Sequence, residues 1–89
     1  MVSTRAKKIY ETQKASVIHM SLNPGQSLKK HTTPTDVFVY ILEGNGTVEI
    51  DNEKQEVQKN TIIQIPKGSL HLLKNTSQQT FKFLAVKLT

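Results

Sequence analysis

Three histidines, His19, His31 and His71, are the side chains of this sequence best suited to chemistry. An imidazole titrates near pH ~6.5, so it can act as an acid or base, hold an anion when protonated, or ligate a metal when neutral. Two of the three sit in punctuated surroundings: Gly25 stands shortly before His31, and the stretch "PKGSLHLLKN" carries Pro66, Gly68, His71 and Asn75. In that stretch the proline and glycine are explained by a tight turn, and His71 then begins a strand with its ring aimed at one face. An ordinary half-buried histidine satisfied by a neighbour is the plain alternative. The chain has no cysteine, which excludes disulfides and thiolate metal sites and leaves His, Asp and Glu as metal-ligating side chains.

The elements that must hold these rings are strands. Apolar and polar residues alternate, or β-branched and aromatic residues run together, in "SVIHMSL", "DVFVYILE", "GTVEID", "NTIIQI", "LHLLKN" and "TFKFLAVKL", and no stretch keeps a helical stripe. Turn residues separate them: "NPG", "GNG", "DN", "PKG" and "NTS". Of these, "DN" between two alternating runs predicts a tight hairpin. Short strands at regular spacing read as an all-β, antiparallel sandwich or barrel, and 89 residues allow one domain, spanning 1–89. The run "VFVYIL" is apolar at every position, with Val37, Val39 and Ile41 on one face and Phe38, Tyr40 and Leu42 on the other. Both faces then need cover, which predicts a homodimer.

With the strands in place, two constellations line up. The first is Gly25, His31 and, at the end of "TTPTDVFVYILEG", Gly44; the second is Pro66, Gly68, His71 and Asn75. Together they resemble the two motifs of the cupin superfamily, G-x5-H-x-H-x3,4-E-x6-G and G-x5-P-x-G-x2-H-x3-N. The resemblance implies a small jelly-roll β-barrel, often dimeric, of the cupin 2 conserved-barrel type. In metal-binding members, the two histidines and the glutamate of the first motif join the histidine of the second around one divalent metal. Here Thr33 stands at the second histidine, Val37 at the glutamate and Asn60 at the leading glycine of the second motif. Asn60 tolerates the same left-handed turn geometry. Asp36, one residue from the glutamate position, points to the opposite face unless its loop bulges.

That leaves His31 and His71, one short of the three protein ligands of an ordinary catalytic zinc or iron. His19 is the candidate third: it shares a face with Val17 and Ser21, opposite Ile18, Met20 and Leu22, and either face can turn inward. A divalent metal, whether zinc, iron, nickel, copper or manganese, is thus one candidate cofactor, and a metal-free pocket is the other. Thr33 and Gln64 are candidate ligand-binding residues. Gln64, polar within the apolar "TIIQI", either bonds a ligand or fills a solvent-facing slot opposite Ile63 and Ile65.

Charge and composition narrow the partners. With 12 Lys+Arg against 7 Asp+Glu the net charge is +5, but the basic residues fall in small groups and singly among acids, which reads as a solvated surface. Phe81, Lys82 and Phe83 alternate as a base-stacking face would, yet Phe81, Phe83 and Ala85 at this spacing read as core, so nucleic acid is not expected. No apolar run approaches a bilayer span, and a cytoplasmic protein is expected. The function expected is a small cupin barrel that binds a small polar ligand, with or without a divalent metal, through His31 and His71. The second reading is a metal-free, non-catalytic dimer acting as a sensor or interaction module; the third is a basic barrel for single-stranded nucleic acid.

Overall fold

Alternation decides which side chains each strand buries, and the computed structural model, which describes residues 5–89, shows the result. Residues 1–4 of the domain expected over 1–89 lie outside the described residues. Eight strands are present among the described residues: β1 (Arg5–Glu11), β2 (Ala15–Leu22), β3 (Val37–Glu43), β4 (Asn45–Ile50), β5 (Glu53–Gln58), β6 (Ile62–Ile65), β7 (His71–Lys74) and β8 (Phe81–Leu88). They form a five-stranded sheet in the order β1-β2-β8-β3-β6 and a three-stranded sheet in the order β5-β4-β7, every pairing antiparallel. This is the antiparallel barrel that the strand pattern predicts, in the jelly-roll form that the resemblance implies.

The inner faces of both sheets supply one core. Leu22 of β2, Val39 and Ile41 of β3, Val48 of β4, Ile65 of β6, and Phe81 and Phe83 of β8 are all buried in it. Burying each such side chain contributes about 1.5–3 kcal/mol relative to exposure. The two phenylalanine rings lie 5.2 Å apart at 43°, a tilted contact that adds to the area term. On β3 and β8 the alternate residues, Phe38, Tyr40, Leu84 and Val86 among them, are half-buried on the outer face.

The turns carry the geometry their residues allow. Asp51 and Asn52 join β4 to β5 with φ of 49° and 72°, and Ile50 pairs with Glu53, so "DN" makes a two-residue hairpin of the mirror-image type. Asn60 has φ 66°, in the left-handed region expected of it. Gly44 has φ 79°, and a Cβ there would lie 2.5 Å from the Thr80 carbonyl oxygen, so both backbone angle and space require glycine.

Two strands fall outside the six runs picked out by alternation. β1 is exposed at all positions, and β5 buries only Val57. Both are edge strands, so backbone pairing to β2 and to β4 holds them rather than an apolar face. A further extended segment, 25–31, has no regular strand assignment but runs antiparallel to β7. Leu28 N–H donates to Leu73 O at 2.9 Å, Asn75 N–H to Gln26 O at 2.9 Å, and Gly25 N–H to Asn75 O at 3.0 Å. Outside this pairing, Lys30 reaches Glu49 of β4 at 2.9 Å, and the lysine holds that carboxyl below its usual range.

Candidate functional site

The backbone of segment 25–31 and that of β7 set His31 directly opposite His71. Each donates its N–H to the other's carbonyl, at 3.0 and 2.9 Å, making them a hydrogen-bonded antiparallel pair with side chains on the same face. The ring centroids are 4.4 Å apart with planes at 55°. His71 is 3% exposed, while His31 sits at the rim.

Both rings are held the same way. His31 Nδ1 lies 2.8 Å from Lys29 O and His71 Nδ1 lies 3.2 Å from Ser69 O, in each case the carbonyl two residues earlier. A carbonyl only accepts, so Nδ1 carries the hydrogen, and in the neutral ring Nε2 is left with a lone pair. Burial pushes the His71 pKa below its usual value, helped by the neighbouring His31 and by Lys87; the Ser69 carbonyl and Asp51 oppose the shift. His71 is therefore neutral at pH 7.

This shift has a consequence for stability. As the pH falls below about 6.5, the unfolded chain takes up a proton at position 71 that the folded chain resists, so the unfolded state gains. The contribution is complete above that pH and is lost on acidification toward the lowered folded value. Urea unfolding between pH 7.5 and 5.5 is expected to show a loss of stability that is smaller in His71→Gln. Equal losses in the two proteins would show that this ring does not couple folding to pH.

Both imidazoles line one cavity of about 320 Å³ between the sheets, open to solvent on one side. Its wall is mainly apolar, with Ile18, Met20, Val39, Leu73 and Phe83 among the lining residues. Thr33 lines it as well; its buried hydroxyl donates to Thr35 O at 3.0 Å. Lys29 and Lys87 complete the polar lining. Neither lysine was singled out from the sequence, although Lys87 could have been: the alternation that puts Phe81, Phe83 and Ala85 on the inner face of β8 puts Lys87 there too.

Two expected site residues are not brought to this cavity. His19 lies on the other face of β2, because Ile18 and Met20 turn inward, and it lines a separate surface hollow with Arg5, Lys7, Ser21 and Lys82. Gln64 is exposed on the outer face of β6, since Ile63 and Ile65 take the inner one. Asp36, beside the glutamate position of the motif, accepts a bond from Lys67 N–H at 2.9 Å and does not line the cavity. Asn75 serves the fold: it is fully buried, its Nδ2 donates to Leu22 O and Gln79 O at 3.0 and 2.7 Å, and its Oδ1 accepts from the N–H and hydroxyl of Ser77 at 2.9 and 2.8 Å.

The Cupin_2 family, described as a cupin domain, matches residues 18–87. The chain belongs to the cupin family. Among relatives of this cupin, the uncharacterized protein MJ1618 of Methanocaldococcus jannaschii is 37% identical over 78 residues, which span 85% of this chain and 62% of that protein. The match thus covers less than two thirds of that relative's length. A conserved protein of unknown function from Streptococcus pyogenes, SPY1581, superposes with a TM-score of 0.87 at 28% identity, over 98% of this chain and 75% of that one. A cupin with an RmlC-like double-stranded β-helix fold from Methanocaldococcus jannaschii, MJ0764, superposes with a TM-score of 0.88 at 23% identity, over 97% and 80% of the two chains.

Cupins often bind metals, and a metal here would have to be held by the polar lining of this cavity. His31 and His71 offer two nitrogens, Thr33 gives its hydroxyl hydrogen to Thr35, and the remaining polar lining is cationic. Among the described residues, no three of His, Cys, Asp and Glu come together. Two imidazole donors beside two lysines lining the same cavity, with no carboxylate to offset the charge, do not fit a resident divalent metal.

Proposed function

We propose that this cupin is a binding barrel that takes a small organic ligand into the cavity between its sheets, with His31 and His71 as polar anchors and without a resident metal. The observation that carries this reading is the pair of imidazoles, 4.4 Å apart, lining one mainly apolar cavity. Such a cavity, apolar with a few convergent polar groups, is the ordinary form of a small-molecule site. The apolar wall excludes water and takes the body of the ligand. The Nδ1–H bonds to Lys29 O and Ser69 O fix the ring orientations, so Nε2 can accept a hydrogen bond from a ligand O–H or N–H without rearrangement.

Screening small organic compounds by thermal shift, with elemental analysis of protein purified without a chelator or affinity tag, tests this. The expected result is ligand-dependent stabilisation that is reduced about ten-fold in apparent affinity or more in His71→Ala, and no stoichiometric metal. A stoichiometric ion would overturn the metal-free reading. Ligands that bind His31→Ala and His71→Ala as well as the unmodified chain would overturn the anchors.

The outer face of the five-stranded sheet supports a second element of the reading. Tyr10, Val17, Val86, Phe38 and Gln64 form one cross-strand row, and Lys7, His19, Leu84, Tyr40 and Ile62 form the next, so that the middle of each row is apolar and one end of each is polar. Tyr10 and Ile62, at opposite edges, are 62% and 66% exposed. An apolar centre of this extent, with polar residues at its ends, suits a two-fold partner bearing the same rows, and we take that partner to be a second copy. Light scattering at tens of micromolar is expected to give a dimer, dissociated by Phe38→Glu; a monomeric unmodified chain rejects it.

A further inference from the structure

The charged groups around the cavity are of one sign. Every ionisable side chain that lines it is basic: Lys29, His31, His71 and Lys87. The carboxylates nearest in the fold are engaged elsewhere, Asp36 with Lys67 N–H, Asp51 with Leu70 N–H and Glu49 with Lys30. Among the described residues Lys8, Lys30 and Lys82 have acidic partners, whereas Lys29 and Lys87 make no ion pair.

The two lysines come from opposite walls. Lys87 ends the inner face of β8 in the five-stranded sheet, two residues beyond Ala85, and Lys29 lies on segment 25–31, which pairs with β7 of the three-stranded sheet. Both lysines are exposed lining residues, so a ligand seated between the sheets has a lysine from each side at the edge of the cavity. The buried His71 is unsuited to a negative charge, since its neutral ring, with Nδ1–H bonded to the Ser69 carbonyl, presents a lone pair that a carboxylate oxygen would oppose. An apolar cavity of about 150 Å³ is enough for benzene. One of about 320 Å³ has room for a ring and a short side chain.

We infer that the ligand is a small monocarboxylate with an apolar body, the body lying against Val39, Leu73 and Phe83 and the carboxylate held by Lys87 and Lys29. The inference rests on the cavity being the binding site. It adds two recognition residues and a ligand class. The lysines select an anion; the wall selects against a hydrophilic one such as a sugar or free phosphate, which would leave its hydroxyls or oxygens without partners among apolar side chains.

Calorimetric titration of the full chain with 3-phenylpropanoate and with its neutral counterpart, 3-phenylpropan-1-ol, tests it. The carboxylate is expected to bind at least about ten-fold more tightly than the alcohol, a difference set by the ammonium groups. Lys87→Met, which keeps the apolar stem and removes the charge, should bring the carboxylate down to the affinity of the alcohol and leave the alcohol unchanged. Lys87→Arg should retain the preference. Equal binding of acid and alcohol by the unmodified chain would overturn the charge assignment while leaving the cavity as the site. A Lys87→Met variant that weakens both probes equally, or neither, would also overturn it. If neither probe binds, the inference and the binding-barrel reading fall together.

Discussion

Asn75→Ala is expected to destabilise the protein by about 3–4 kcal/mol, because one buried side chain closes four hydrogen bonds. Each such bond contributes about 1 kcal/mol net, and a buried group left unpaired costs about 1–3 kcal/mol. Truncation would strand Leu22 O, at the end of β2, and Gln79 O, in the turn before β8, and would release Ser77 N–H. The amide therefore ties the exit of β7 to two strands of the opposite sheet. Ser77→Ala, at a half-buried position, removes a hydroxyl that bonds only within the turn and is expected to cost about 1 kcal/mol or less. Urea unfolding of the two variants measures the difference. A loss below about 1 kcal/mol in Asn75→Ala would show that water replaces the amide in this turn.

Phe83→Ala is expected to cost about 3–5 kcal/mol, the range for removing a fully buried aromatic ring. Phe83 is wholly buried, meets Phe81, and also lines the cavity between the sheets. The same substitution therefore weakens the core and enlarges the cavity. If the cavity is the binding site, Phe83→Leu, a smaller perturbation, should shift preference toward bulkier apolar ligands while the protein stays folded. A variant with unaltered ligand preference would place binding outside this wall. Chemical denaturation and competition between ligands of increasing size read the two effects separately.

The strands that carry the core were legible because alternation and burial coincide in them. β2, β3, β4, β6, β7 and β8 each turn apolar side chains to the inner face, and the runs read from the sequence match them to within a residue or two at each end. β1 and β5 were not legible, since "RAKKIYE" and "EKQEVQ" have almost nothing to bury and owe their conformation to backbone partners distant from any local pattern. The site divides in the same way. His71 could be placed because it opens a strand whose next inward residue is Leu73. His31 could be placed only through its motif, because segment 25–31 has no period and is held by hydrogen bonds to β7.

His19 shows where pattern alone runs out. In "SVIHMSL" the two faces differ little in polarity, and the pairing of β2 with β8, Ile18 opposite Ala85 and Met20 opposite Phe83, decides which is inward. No window confined to β2 contains that information. Lys87 shows the converse: the periodicity of β8 places it on the inner face, and although it is exposed it lines the same cavity as both imidazoles and Lys29.

β8 is paired on both sides for most of its length, to β2 and to β3, and its inward residues grade from sealed aromatic to small to charged within a single strand: Phe81, Phe83, Ala85, Lys87. Slipping that strand by a single position would send Lys82, Leu84 and Val86 inward and expel both rings. Adding or deleting a residue in the 76–80 turn would thus scramble the interior and the entrance together.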